Sequence, residues 1–192
     1  MDRRSRWWDL PAALLLAVAL LTASGRLVAT EWVDHLELIR TLALIGMGAG
    51  LALGQSTFHP VWSTLFALLY GLFFVPWQLV TNLSPLTEDA LWSDRLIVLG
   101  NRLFYALRQV AAQKPVQDPA LFLFGMAVLS WVLSVHAGYA LTRSARPWRI
   151  ILPTGLVTML VHTSDPYRPR GIWYLAGYLL FSLLLLARLT FL

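Results

Sequence analysis

The sequence predicts an all-α, polytopic integral membrane protein with about six transmembrane helices and one amphipathic surface helix. Of its 192 residues, 58% are hydrophobic and only 13% are charged, which is about half the charged fraction of a soluble domain. The charged residues cluster between long uncharged runs, as a bilayer requires of segments of roughly 20 residues. We therefore expect one membrane domain, whose main partner is the lipid bilayer.

Three apolar runs precede the longest polar interruption. They predict transmembrane helices at about 10–29, 38–56 and 60–83. Asp9, followed by Leu10 and Pro11, predicts a helix N-cap with proline in the first turn. A cleaved signal peptide is the alternative for the first run, because basic residues precede it and the small residues at 23–25 end its apolar core. Pro76 should kink the third helix, since proline removes a backbone hydrogen bond.

Residues 85–119 are predicted to form an extracytoplasmic amphipathic helix, at about 87–113, and a loop. Thr87 can cap this helix, and Glu88 and Asp89 in its first turn would interact favourably with the helix dipole. Apolar residues then recur every three or four positions. The polar residues assigned to the opposite side are Asp94, Arg95, Asn101, Arg102 and Arg108. We expect the helix to lie on the membrane surface or to cover the bundle as a lid.

The second half predicts three more transmembrane helices, at about 120–141, 150–164 and 172–189. The middle one is short for a membrane crossing unless the bilayer thins around it. Small residues at four-residue spacing form a stripe on the second helix and another on the fourth. These residues are Gly46, Gly50, Gly54, Ser130, Ser134 and Gly138. We expect the two helices to pack face to face through these stripes.

The distribution of charge predicts the orientation. With the N-terminus inside, the inner segments hold seven basic and two acidic residues, and the outer segments hold eight of each. The positive-inside rule therefore favours a cytoplasmic N-terminus. Arg26 and Arg40 are assigned to the outer loop between the first two helices, and Asp165 to an outer turn. The net charge of +5 follows from this topology, so no nucleic-acid partner is expected.

Little in the sequence indicates chemistry. The chain has no cysteine, which excludes thiolate metal sites and a cysteine nucleophile within it. None of the six predicted spans contains Asp, Glu or Lys, which ion transporters commonly place in the membrane. His136 and His162 are expected to be helix-packing or interfacial residues, and no metal site or cofactor is expected. The alternative is a haem held by His136 and a second histidine.

Three segments carry a resemblance to a known family. They are RSRWWDLPAALLL at 4–16, GLALGQSTFHP at 50–60 and YGLFFVPWQL at 70–79. Together they resemble the N-terminal membrane region of bacterial transglutaminase-like membrane proteins of the TgpA type. The resemblance implies a bacterial plasma membrane location and a downstream extracytoplasmic domain with a Cys, His, Asp triad. Because this chain lacks cysteine, no catalytic residue of that family transfers to it.

The sequence therefore favours a non-catalytic membrane anchor or scaffold domain of a transglutaminase-like protein, truncated or standing alone. An accessory structural subunit of a larger membrane complex is the first alternative. A small transporter component is the second, because the two halves each have three spans of opposite sense, as in inverted-repeat transporters.

Overall fold

A computed structural model describes residues 9–83, 91–115, 118–166 and 171–191. These ranges contain seven α-helices and no strand, which confirms the all-α prediction. The helices are α1 (Leu10–Val28), α2 (Leu38–Gln55), α3 (Pro60–Leu83), α4 (Trp92–Ala111), α5 (Ala120–Ser144), α6 (Pro147–Ser164) and α7 (Ile172–Phe191). Within the described ranges, α1, α2, α3, α5 and α7 are long and apolar enough to cross a membrane. The architecture is that of a multi-pass membrane protein.

The fifth predicted span differs most from the structure. Helix α6 begins at Pro147 and has 18 residues, because proline in the first turn loses no helical hydrogen bond. The prediction placed its start at 150 and so made it too short. Helix α6 is nevertheless not one of the five helices that are long and apolar enough to cross a membrane. Arg149, His162 and several hydroxyl residues interrupt its apolar character. Helix α6 packs against α1, α5 and α7.

Helices α2 and α5 form the most extensive contact of the bundle and run in the same direction. Their alignment follows from two contacts: the Ser130 hydroxyl lies 3.4 Å from the Ile39 carbonyl oxygen, and Gly54 lies against Thr142. Helix α7 runs antiparallel to α1, because Tyr174 in its first turn meets Gly25 near the end of α1, while Arg188 in its last turn bonds to Asp9 at the start of α1. Helices α1 and α3 contact both members of this pair, α4 and α6 contact α5, and α7 packs on α1 and α6.

Trp131 of α5 fixes the position of α3. Its ring stacks on Phe74 at a centroid distance of 5.7 Å, and its indole N–H donates to the Ala67 carbonyl at 3.1 Å. A side chain at Gly71 would collide with the same ring, 2.6 Å from the indole nitrogen. Helix α3 continues through Pro76 as one element.

A helix is present within the range predicted for the amphipathic helix, but it presents a different face to the bundle. Thr87, Glu88 and Asp89 lie outside the described residues, and α4 starts at Trp92. Arg102, predicted on the outward side, instead turns toward the bundle. Its guanidinium donates two hydrogen bonds of 2.8 Å to Asp118 and one of 3.1 Å to the Leu83 carbonyl. The prediction was wrong here because a carboxylate and a free carbonyl at the helix ends compete with water for this side chain.

The prediction that Asp9 is the N-cap of the first helix, with proline in the first turn, is confirmed. Asp9 occupies the N-cap position, but its side chain makes no capping hydrogen bond. Its carboxylate instead accepts two hydrogen bonds from Arg188, one of them 2.9 Å long. The ion pair lowers the pKa of Asp9, chiefly through the hydrogen bond from Arg188. It joins the start of α1 to the last turn of α7.

Candidate functional site

The small residues predicted to pack α2 against α5 all lie at that interface. Gly46 faces Ser134, and Gly54 faces Thr142. A methyl group at Gly50 would overlap the Val135 carbonyl oxygen and approach the Tyr139 nitrogen at 2.9 Å. Each glycine therefore lets the neighbouring backbone come closer than any side chain allows.

The stripe on α5 completes the same interface. A methyl group at Gly138 would overlap the Met47 carbonyl oxygen and lie 2.9 Å from the Leu51 nitrogen. Ser130 bonds to the α2 backbone, while the buried Ser134 donates to the carbonyl of Ser130, 2.7 Å away on its own helix. The hydroxyl of Ser134 is thus satisfied locally, and the interface stays compact.

A fully buried ion pair lies where α1 and α6 end. Arg26 and Asp165 are both unexposed, and a guanidinium Nη2–H of Arg26 donates to the Asp165 carboxylate at 2.7 Å. The Nε–H of Arg26 donates to Nδ1 of His162 at 3.1 Å. His162 therefore accepts this hydrogen bond through Nδ1. The structure brings together three residues that the sequence analysis did not connect.

The placement of Arg26 in a loop was wrong. Arg26 lies in the last turn of α1 and is fully buried. A methyl group at Gly171 would lie 2.6 Å from its Cζ, and one at Gly25 would lie 2.7 Å from the Tyr174 ring. A signal was present, because Arg26 falls inside the predicted span 10–29, and a charge at such a position requires a partner.

His136, the candidate haem ligand, has a backbone partner. Its Nε2 lies 3.2 Å from the Arg149 carbonyl oxygen, and the residue is solvent- or lipid-exposed. Pro153 lies four residues after Arg149 inside α6. Because proline lacks an N–H, it leaves that carbonyl without its helical donor, and the histidine supplies one. About 20 Å of helix separates this contact from His162 at the other end of α6.

An apolar cavity of about 60 Å³ lies between α1, α2, α5 and α6. Ten of its lining residues are hydrophobic and four are Ser or Thr, so its wall is mainly hydrocarbon. A smaller space of about 10 Å³ between α1, α6 and α7 shares Leu20 and Thr154 with it. The Thr154 hydroxyl is buried and has no hydrogen-bond partner among the described residues.

These features define two candidate sites, the Arg26–Asp165–His162 cluster and the cavity. In the described part of the chain, no group of three or more His, Cys, Asp or Glu residues could hold a metal ion. The cluster supplies a cation, an anion and an imidazole with fixed mutual geometry, and the cavity supplies an apolar surface. Comparisons of the chain with models of known protein families, with curated proteins and with solved structures found no match.

Proposed function

We propose that this chain is a non-catalytic anchor or scaffold domain of a transglutaminase-like protein in the bacterial plasma membrane. The observation that carries the proposal is the close packing of α2 on α5, where Gly50 and Gly138 meet the opposite backbone. Packing of this kind holds helices at fixed separations. A rigid bundle is what an anchor for a domain outside the membrane requires.

Three ion pairs, each with at least one partner at a helix end, support the same role. Asp9 joins α1 to α7, Arg26 joins α1 to the residue after α6, and Arg102 joins α4 to the residues before α5. Each pair restrains the ends of helices, from which connections leave the membrane. The transglutaminase-like assignment itself rests on the resemblance of the three segments at 4–16, 50–60 and 70–79.

The first test is the intact mass of the native protein in its own membranes, compared with the 21.6 kDa of this chain. A larger polypeptide with a cysteine-containing extracytoplasmic domain supports the proposal. A mass equal to this chain contradicts the covalent anchor. In that case, co-purification with another membrane protein at fixed stoichiometry would support the accessory subunit instead.

The proposed orientation places the N-terminus in the cytoplasm. Because the chain has no cysteine, single cysteines introduced into this chain expressed by itself give an unambiguous labelling test. Ser93→Cys on α4 and Ser144→Cys at the end of α5 are exposed positions at opposite ends of the bundle. A membrane-impermeant thiol reagent applied to intact cells should label only the first. Labelling of the second alone would reverse the orientation.

A small transporter component is the second candidate, and one observation favours it. The fully buried Arg26 and Asp165 are the kind of charged residues that mark ion and substrate pathways in membrane proteins. Ion or solute flux into proteoliposomes that is abolished by Asp165→Asn would support this role. Equal flux with protein-free liposomes would exclude it.

A further inference from the structure

We propose that the cavity between α1, α2, α5 and α6 binds the hydrocarbon chain of a bilayer lipid. The site is distinct from the ion pairs and the α2–α5 interface that support the scaffold role. Three properties carry the inference: the chemistry of the wall, the position of the mouth and the medium that the mouth faces.

The wall of the cavity is more apolar than its residue types suggest. Three of its four hydroxyl residues donate to backbone carbonyls: Ser24 to Leu21 at 3.1 Å, Ser130 to Ile39 at 3.4 Å, and Thr158 to Thr154 at 2.8 Å. These three hydroxyl groups have therefore already used their donors, and the buried Thr154 hydroxyl is left as the one lining donor without a partner among the described residues. Buried water needs two to four polar partners, and an apolar cavity without them stays dry or takes an apolar guest.

The mouth of the cavity lies between α5 and α6. Leu27, Ile39 and Ala43 of α1 and α2 form a buried back wall. Leu133 of α5 and Val157 of α6 also line the cavity but are only half-buried. The cavity is therefore closed on the side of α1 and α2 and opens sideways.

The sideways opening lies along the apolar length of the bundle, where the surrounding medium is lipid hydrocarbon. The lining residues from α1 and α5 belong to helices that are long and apolar enough to cross a membrane. An unfilled apolar space forfeits dispersion contacts with its lining atoms. A lipid chain entering between α5 and α6 would restore these contacts without breaking a hydrogen bond.

Two substitutions should block the site by different routes. Ala43→Leu adds three carbon atoms to the buried back wall, and Val157→Phe narrows the mouth from a half-buried position that tolerates a larger ring. The matched controls are Ala52→Leu and Leu156→Phe, which introduce the same side chains at exposed positions on the same helices. If Ala43→Leu overpacks the core and fails to fold, Val157→Phe still tests the site.

The probe is a phospholipid of defined chain length, and native mass spectrometry of the detergent-purified protein measures its retention. We expect about a tenfold loss of bound phospholipid in both blocking variants, with circular dichroism unchanged, and a change of less than about twofold in both controls. Equal retention by all four variants would overturn the proposal. Solvent-exchangeable water in the cavity of a high-resolution structure, with no lipid density, would also overturn it.

Discussion

Arg26 and Asp165, 139 residues apart in the chain, form an ion pair with no exposed surface on either side chain. The pair connects the end of α1 with the residue that follows α6, and His162 accepts a second hydrogen bond from the same guanidinium. The Nη1 group of Arg26 has no hydrogen-bond partner among the described residues. Because one guanidinium bonds to both Asp165 and His162, a substitution at any of the three residues should affect the other two.

Removal of one member of the pair should cost more than removal of both. Asp165→Asn or Arg26→Met breaks the buried ion pair, which costs about 3–5 kcal/mol. The double variant Arg26→Met with Asp165→Leu removes both charges and should lie within about 2 kcal/mol of the native protein. Thermal unfolding in detergent measures all three.

The exposed Arg146→Met provides the control for loss of an arginine, and its unfolding temperature should not change. A double variant less stable than either single variant would show that the pair contributes net stability. Such a result would contradict the expectation that the single variants lose more stability than the double variant.

Two nearby glycines of α2, Gly48 and Gly50, should respond differently to substitution by alanine, because only Gly50 faces α5. A methyl group at Gly50 would overlap the backbone of α5, whereas one at Gly48 would have nothing within 4 Å. Gly50→Ala should therefore destabilise the protein by about 1–3 kcal/mol through overpacking. Gly48→Ala should be neutral or stabilising by up to about 1 kcal/mol, because alanine is the better helix former.

Unfolding of the two variants in the same detergent measures the difference. Equal stability would mean that the two helices separate easily, and the close contact would then contribute little to the fold.

The helices were predictable because apolar runs and proline positions determine them locally. The bounds of α3 agree with the prediction, since Pro60 can begin a helix and no charge interrupts the run that follows. The partners of Arg26 and Arg102 were not predictable in this way. Their choice depends on which helix ends meet in space, and the periodicity of one segment does not contain that information.

The cavity could not be predicted from the sequence for a related reason. Its volume is the difference between the space among four helices and the side chains that fill it. In the sequence alone, small residues such as Ser24, Ala43 and Thr158 are equally compatible with tight helix packing and with a cavity. Only the relative placement of α1, α2, α5 and α6 shows that they leave space.

The pair between Asp118 and Arg102 should make stability depend on pH only in acid. The hydrogen bonds from Arg102 hold the pKa of Asp118 below its ordinary value, which is about 3.9 in the unfolded chain. A lowered folded-state pKa gives stability that is fully present above the unfolded value and is lost as pH falls through the folded value.

Unfolding of the native protein and of Asp118→Asn from pH 7 to pH 2 tests this dependence. Their stability difference should be constant from pH 7 to about 5 and should shrink below about pH 4. A difference that shrinks already between pH 7 and 6 would assign the effect to another group.

The contact between His136 and Arg149 should matter only because Pro153 is present. His136→Ala removes the side-chain donor to the Arg149 carbonyl oxygen at an exposed contact, which should cost about 0.5–1.5 kcal/mol. In a Pro153→Ala background the restored N–H of residue 153 can bond to that carbonyl, so the same histidine substitution should cost less than about 0.5 kcal/mol. A double-mutant cycle from thermal unfolding measures the coupling. Equal cost of His136→Ala in both backgrounds would show that the imidazole stabilises α5 and α6 through packing alone, independently of the carbonyl that proline leaves free.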